Sequence, residues 1–118
     1  MIHQNSRKKL NLKAPHRRAM LRNQTIHLIK YGHLVSTKAR VKETKRLVER
    51  VVTIARVGNE FNARRRVQAL LPYDMDAVIK LFKEIAPQYV SRPGGYTRII
   101  PLGKRMSDTA TVARLEWV

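Results

Sequence analysis

The strongest helical pattern in the chain is KARVKETKRLVERVVTIARV, residues 38–57. Its apolar stripe repeats every three or four positions: Val41, Thr44, Val48, Val52 and Ala55. The charged residues on the opposite side are Lys42, Lys45, Arg46, Glu49 and Arg50. This periodicity predicts an amphipathic helix that buries one side in a core, while most of the charges form a solvated face. Ser36 or Thr37 is expected to cap the helix.

Turn-forming residues before and after this stretch mark further helices. An earlier helix is predicted between Pro15 and Gly32, because proline suits a first helical turn and glycine a helix end. A short helix is predicted over residues 61–71. A fourth helix is expected to begin at an Asp74 cap and to end at Pro87.

Three short strands complete the predicted fold. They are expected at residues 33–36, 96–100 and 110–118, with a long basic hairpin loop over residues 101–109. In the last strand, one face is predicted to carry Ala113, Leu115 and Trp117. The predicted fold class is therefore α/β (α+β), a small mixed sheet of about three strands packed by about four helices.

Positive charge is concentrated at the start of the chain. The sequence has 25 Lys plus Arg and 8 Asp plus Glu, a formal net charge of +17. Residues 1–42 contain eleven cations and no acid, and the first acid is Glu43. Because uncompensated charge repels itself, this segment is expected to need an external polyanion to hold a fixed conformation. Residues 1–13 are predicted to be a basic N-terminal arm, followed by a single globular domain over residues 14–118.

The sequence lacks the patterns of several other protein classes. It contains no cysteine, and its four histidines lack the spacing of a metal site. Phosphate-loop and nucleophile motifs are absent. We therefore expect no catalytic residue, no metal, no cofactor and no small-molecule substrate. No run of 18 apolar residues and no secretory signal is present, which predicts an intracellular protein with no membrane partner.

A protein this basic has two ordinary polyanionic partners, an anionic membrane and a nucleic acid. A membrane-surface helix carries Trp or Phe on a broad apolar face, and the first predicted helix has neither. Cations spread over an arm, a helix and two loops suit a folded RNA that is bound through its shape and backbone. Arg18 and Arg22 are four residues apart and are expected to point the same way from the first helix.

A second candidate contact surrounds the adjacent pair Gly94 and Gly95. The residues that flank this pair are Arg92, Tyr96 and Arg98. One interpretation is a backbone contact with a sugar-phosphate, with a base stacked on the tyrosine. The other is a turn whose glycines supply positive φ and whose tyrosine packs inward. The local sequence favours neither interpretation.

Five stretches, taken in order, are similar to one known family. They are HRRAMLRN (residues 16–23), STKARVK (36–42), KLF (80–82), SRPGGYTRI (91–99) and LGKR (102–105). Together they resemble the L17 family of bacterial large-subunit ribosomal proteins over nearly the whole chain. The Gly-Gly-Tyr-Thr-Arg block is the most specific of them.

The resemblance implies an α/β domain whose basic arm is embedded in large-subunit ribosomal RNA. It also implies a structural and assembly role near the nascent-chain exit, with neighbouring large-subunit proteins as further partners and no catalysis. The residues that we expect to bind RNA are the polar members of these blocks and the cations around them: Arg7, Lys8, Lys9, Lys13, His16, Arg17, Arg18, Arg22, Asn23, Lys38, Arg92, Gly94, Gly95, Tyr96, Arg98, Lys104 and Arg105.

The chain departs from the family pattern at a few positions. Ile2 and Gln4 stand where cations are common, and Ser107 stands where a glycine is common. Trp117 is bulkier than usual and is expected to pack on the sheet or on a neighbouring protein. A bacterial cytoplasmic ribosome is the expected location, with an organellar ribosome as the alternative. A free DNA-compacting protein and a small RNA-modifying enzyme remain as other function classes.

Overall fold

The computed structural model describes Leu10 and residues 12–118. Most of the predicted basic arm, including Arg7, Lys8 and Lys9, lies outside the described residues. Among the helices of the described part, none is long and apolar enough to cross a membrane.

Four α-helices and three strands make up the described chain, as the sequence predicts. The helices are α1 Ala14–Tyr31, α2 Lys38–Ala55, α3 Phe61–Leu70 and α4 Met75–Lys80. The strands are β1 His33–Thr37, β2 Thr97–Lys104 and β3 Thr111–Trp117. The α/β fold class is therefore confirmed.

Helix α2 lies at the centre of the core because its apolar stripe is buried along its length. Val41, Val48 and Val52 are each at most 1% exposed. Helices α1 and α3 pack against α2, and so do all three strands. Full burial of such a side chain stabilises a fold by about 1.5–3 kcal/mol relative to exposure, so this stripe supplies much of the driving force.

The three strands form one sheet in the order β1-β3-β2. Both pairings are antiparallel, so the sheet is antiparallel rather than mixed as predicted. The reason is that β2 and β3 follow each other through a hairpin, which reverses the chain, and β1 runs against β3 on its other side. Leu34 and Ile99 both lie opposite Leu115. The predicted inner face is confirmed, since Ala113 and Leu115 are buried and Trp117 is half-buried.

The β2–β3 hairpin has a longer second strand and a shorter loop than predicted, while β3, Thr111–Trp117, lies within its predicted range. Strand β2 continues past Pro101 to Lys104, which leaves residues 105–110 as the loop. Because β2 is an edge strand whose register shifts just after Pro101, the missing N–H of the proline is tolerated. The loop is closed by a 2.9 Å hydrogen bond from the Arg105 N–H to the Ala110 carbonyl.

The helical backbone does not end at Pro87 as predicted. After α4 it continues as a π-helical turn over Leu81–Ile85 and a 3₁₀ turn over Ala86–Tyr89. Pro87 lies in the first turn of the 3₁₀ segment. A helical first turn does not need the N–H that proline lacks, so the chain remains helical through this position.

The predicted helix ends are confirmed at Gly32 and Asp74. Gly32 has a φ of 81° and donates its N–H to the Leu28 carbonyl at 2.9 Å. Asp74 Oδ1 accepts a 3.1 Å hydrogen bond from the Ala77 N–H. Thr37 takes the N-cap position of α2, but its hydroxyl makes no capping hydrogen bond within the described chain. Thr37 therefore occupies the predicted cap position without making the capping hydrogen bond.

A salt bridge joins the end of α1 to the start of α4. Lys30 Nζ lies 2.6 Å from Asp74 Oδ2. The hydrogen bond from Lys30, followed by that from the Ala77 N–H, lowers the pKa of Asp74 below its ordinary value. The same contact raises the pKa of Lys30. Lys80 Nζ also donates to the Lys30 carbonyl at 2.9 Å, which adds a second tie between the two helices.

Replacing Lys30 with Met is expected to raise the pKa of Asp74 toward its ordinary value, because the donor that favours the charged carboxylate is lost. The pKa of Asp74 is lower in the folded protein than in the unfolded chain. The salt bridge therefore stabilises the fold fully at pH values above the unfolded pKa, and this stabilisation is lost as the pH falls through the folded pKa. An NMR titration of the carboxyl groups measures the shift. Asp108, in the distant hairpin loop, is the internal control, and an Asp74 pKa unmoved by the substitution contradicts this account.

Candidate nucleic-acid interface

Half of helix α1 extends beyond the core. Its buried residues all lie in the C-terminal half: Thr25, Ile26, Leu28 and Ile29. No residue from Ala14 to Gln24 is buried, a length of about 16 Å at 1.5 Å per residue. The fully buried contacts of this helix are therefore confined to its second half, whereas Ala19, Met20 and Leu21 are only partly buried.

The unburied half of α1 and its N-cap position carry several of the predicted RNA-binding residues. They are Lys13, His16, Arg17, Arg18, Arg22 and Asn23. The Arg22 guanidinium lies 5.7 Å from the centre of the Tyr73 ring and donates to its hydroxyl at 3.5 Å. No arginine of this half forms an ion pair with an acid in the part of the chain that the structure describes. The result is a cationic surface without internal compensation.

A shallow groove runs along one side of α1 and reaches Leu34 of β1. His16 and Asn23, both predicted from the sequence, line this groove together with Gln24 and His27. Imidazole and amide groups can donate and accept hydrogen bonds with phosphates, riboses or base edges. The sequence analysis missed His27, although its spacing of eleven residues from His16 and four from Asn23 places it on the same side of a helix.

Gln24 joins α1 to the start of α2. Its amide donates to the Ser36 hydroxyl at 3.3 Å and accepts from the Thr44 hydroxyl at 2.5 Å. Helix α2 therefore begins beside the middle of α1. Lys38, in the first turn of α2, comes two residues after Ser36 and is partly exposed.

The Gly94-Gly95 loop is a turn that packs its tyrosine inward. Gly94 and Gly95 have φ values of 141° and 65°, which residues with a side chain rarely adopt. Tyr96 is 1% exposed, which excludes the base stacking considered above. A Cβ added at either glycine would meet no other atom of the described chain within 4 Å. The backbone of the turn is therefore open to a partner, although the tyrosine is not.

Two side chains, Glu49 of α2 and Arg56 at the C-cap of α2, hold this loop in place. The two carboxylate oxygens of Glu49 accept hydrogen bonds of 3.2 and 3.1 Å from the Tyr96 N–H, and one of them accepts from the Thr97 hydroxyl at 3.1 Å. Arg56 Nη1 donates to the Arg92 carbonyl and, at 3.2 Å, to the Tyr96 hydroxyl. Glu49, predicted to be part of a solvated face, is thus a structural partner of the loop.

An aromatic cluster completes the support of the loop. The Tyr96 hydroxyl lies 3.1 Å from the Thr53 hydroxyl. The Tyr89 ring centre is 5.3 Å from that of Tyr96 and 6.1 Å from that of Trp117. Trp117 therefore packs within the domain. The guanidinium of Arg92, one of the predicted RNA-binding residues, packs over the Tyr89 ring, 5.2 Å from its centre.

The remaining predicted cations lie on the β2–β3 hairpin. Arg98 contacts Glu116 at 2.8 Å, and Arg105 contacts Asp108 at 2.7 Å. The hydrogen bond from Arg98 lowers the pKa of Glu116, and that from Arg105 lowers the pKa of Asp108. Lys104, between these pairs, is exposed. The hairpin is therefore less cationic than its count of basic residues suggests.

The predicted residues form an extended surface and not a compact site. Helix α1 is fastened to α2 at Thr44, and the glycine loop is fastened between Glu49 and Arg56. Thr44 and Arg56 are about 18 Å apart along the helix axis. Within residues 12–118 and Leu10, no group of histidines and acids could hold a metal ion. The arrangement offers cations and hydrogen-bond donors over a long distance, which suits a polyanion.

Comparison with known proteins decides the family. The family model described as Ribosomal protein L17 matches residues 20–118. The chain belongs to the ribosomal protein L17 family. "Large ribosomal subunit protein bL17" of Fusobacterium nucleatum is 44% identical over 118 residues, the full length of both chains. The protein of the same name from Desulforudis audaxviator is 44% identical over 111 residues, 94% of this chain and 97% of its own. That from Syntrophotalea carbinolica is 41% identical over all of this chain and 75% of its own.

Membership of the L17 family confirms the resemblance drawn from the five sequence blocks. The matched residues include the second half of α1, all of α2 and the Gly94-Gly95 loop. The matching proteins are named as components of the large ribosomal subunit. The assignment therefore also agrees with the prediction that the chain is a structural protein and not an enzyme.

In this L17-family protein, Glu49→Ala is expected to lower the free energy of unfolding by about 1–3 kcal/mol, because the Tyr96 N–H and the Thr97 hydroxyl lose their acceptor. Urea unfolding followed by circular dichroism measures the change. Glu84→Ala is the matched control, since this acid is exposed, and its loss should change stability by less than about 0.5 kcal/mol. Equal effects of the two substitutions would show that Glu49 does not hold the loop.

Proposed function

We propose that this L17-family chain is a structural constituent of the large ribosomal subunit that binds and stabilises ribosomal RNA. Relatives at 41–44% identity carry the name of a large-subunit protein, which supports the assignment. The proposed contact surfaces are the basic arm, α1 and the Gly94-Gly95 loop. The proposed partners are large-subunit ribosomal RNA and neighbouring large-subunit proteins, and the proposed role is support of subunit assembly and translation.

The unburied half of α1 is the observation that carries this proposal. A helix N-terminus bears partial positive charge and is stabilised by acids or bound anions. Helix α1 has no acid in its first turn and no side-chain cap among the described residues. Lys13 and Arg17 instead place further positive charge there. An RNA phosphate at this end would stabilise both the helix dipole and the cations.

Counterion release supplies the driving force in this mechanism. Each Lys or Arg that neutralises an RNA phosphate displaces condensed counterions, so affinity falls linearly on a log-log plot against salt. The arginines in the unburied half of α1 suit this role because none of them forms an ion pair with an acid within the described residues. Specific recognition of the fold of the RNA then comes from where the cations are placed.

The glycine loop and the hairpin provide a second set of contacts in the proposal. The open backbone at Gly94 and Gly95 can approach a sugar-phosphate closely, with Arg92 beside it. Arg98 and Arg105 each use two of the five N–H donors of a guanidinium on an acid. The remaining donors are free to bind phosphate. In this proposal Tyr96 shapes the loop and does not touch a base.

The proposed location is the ribosome of a bacterial cytoplasm, because the relatives named above are bacterial proteins. A ribosome of an organelle with a bacterial-type large subunit is the alternative. We also retain the division into an arm, residues 1–13, and one globular domain, residues 14–118. The arm is proposed to enter the RNA while the domain rests on its surface.

The double substitution Arg18→Glu with Arg22→Glu tests the role of α1. Loss of two phosphate contacts is expected to reduce the slope of log affinity against log salt by about 1.4–1.8. Binding to purified large-subunit ribosomal RNA across a salt series measures this slope. Because Arg18 is exposed and Arg22 is not buried, circular dichroism should show a folded domain.

The matched control is Arg64→Glu with Arg66→Glu. These exposed arginines of α3 carry the same charge change at a position outside the proposed surface. The control variant is expected to keep most of the affinity and the salt slope. If the α1 variant binds as tightly as the unmodified protein at moderate salt, α1 is not the contact surface.

A further inference from the structure

Three ring-bearing side chains lie together where α1 passes into β1, and we call them the ring cluster: His27, Tyr31 and His33. The ring centre of His27 is 4.7 Å from that of Tyr31, and the two planes are tilted by 50°. It is 6.4 Å from the ring centre of His33, which is oriented edge to face. The sequence analysis assigns none of the three to RNA binding, so the cluster is a surface feature without a role in the proposed function.

Tyr31 leaves most of its surface open, since it is 63% exposed. Phe61 and Tyr73 are also exposed, at 64% and 52%, but each has an arginine guanidinium over its ring, 5.6 and 5.7 Å from the ring centre. The ring next to Tyr31 is instead that of His27, one helical turn earlier. Tyr31 is therefore available to stack on a further planar group.

The ring cluster lies between two of the surfaces that are proposed to bind RNA. On one side, His27 also lines the groove of α1 together with Asn23. On the other side, His33 lies opposite Glu116 in the sheet, and Glu116 lies opposite Arg98. The backbones of His33 and Arg98 are therefore about 10 Å apart, which is two strand spacings. A nucleic-acid strand that runs from the groove to the hairpin passes the ring cluster.

The acids near the ring cluster are paired with cations. The Glu116 carboxylate contacts Arg98 at 2.8 Å and Arg114 at 3.1 Å, so one negative charge lies between two positive ones. On α1, Lys30 is paired with Asp74 at 2.6 Å. Stacking of a base requires an open ring face and not a net charge at that point, so these surroundings are compatible with it.

We propose that the ring cluster binds an unpaired base of RNA, which stacks on Tyr31. Every base has a π face, and the unstacked bases of a folded RNA bind tyrosine and histidine rings in this way. The imidazoles of His27 and His33 can form hydrogen bonds with the edge of the base or with a ribose hydroxyl. The inference rests on the proposed function, because phosphate contacts on either side hold the strand, and it adds recognition of a base to recognition of the backbone.

Replacing Tyr31 with Ala tests the proposal, because the substitution removes the ring and no charge. Binding of the full chain to purified large-subunit ribosomal RNA is measured across a salt series. The affinity is expected to fall by about 5- to 150-fold, the range for loss of one stacked base. The slope of log affinity against log salt is expected to stay the same, since the number of phosphate contacts does not change.

Two control variants separate stacking from other roles of the tyrosine. Tyr31→Phe keeps the ring and is expected to keep the affinity of the unmodified chain. Phe61→Ala removes an equally exposed ring from α3, outside the proposed surfaces, and is also expected to keep it. Because rings four residues apart support a helix, circular dichroism checks that each variant is folded under the binding conditions.

The possible failures of the inference and of the proposed function are distinct. If Tyr31→Ala binds as tightly as the unmodified chain, the inference is overturned while the proposed function stands. The same holds if Tyr31→Phe loses as much affinity as Tyr31→Ala, since the contact would then be the hydroxyl and not the ring. If the unmodified chain fails to bind the RNA, the proposed function is overturned and the inference with it.

Crosslinking in the assembled subunit identifies what lies on the ring cluster. A photoreactive phenylalanine derivative replaces Tyr31 in the full chain, and large subunits that contain it are irradiated. A crosslink to a base of ribosomal RNA supports the proposal. A crosslink to protein alone, or none to RNA, overturns it and assigns the cluster to another partner.

Discussion

Helix α1 contributes buried residues to the core over only its second half, and this constraint shapes the rest of the molecule. The C-terminal half is anchored by buried Leu28 and Ile29, whereas the N-terminal half has cations, no buried residue and no acid. An isolated helix of about three turns is marginal in water. In the proposed function, RNA phosphates stabilise this half of the helix further.

Helix α2 connects this exposed helix to the rest of the interface. Its apolar stripe builds the core, Gln24 fastens it to α1 through Thr44, and Glu49 and Arg56 hold the glycine loop. Asp74 pairs with Lys30 at the end of α1, while Asp108 and Glu116 pair with arginines of the β2–β3 hairpin. Helix α2 thus sets the distance between α1 and the glycine loop, the two surfaces of the domain that are proposed to bind RNA.

Local sequence patterns predict those structural features that depend only on residues close together in the chain. The periodicity of α2, the glycine that ends α1 and the Asp74 cap are of this kind. The inward position of Tyr96 depends on Glu49, 47 residues earlier, and no local pattern encodes that contact. Pro101 is tolerated in β2 only because that strand lies at the sheet edge. The groove between α2 and β2 likewise depends on the edge strand lying beside the helix, so periodicity alone predicts a plain solvated face.

Amide hydrogen exchange along α1 tests the central claim most directly. In the isolated protein, the amides of residues 16–24 are expected to exchange far faster than those of residues 25–31, because only the latter are held by the core. In the assembled large subunit, residues 16–24 should gain protection comparable to that of the second half. Equal protection of residues 16–24 in the free protein and in the subunit would contradict the account, since the helix would then need no RNA to hold its shape.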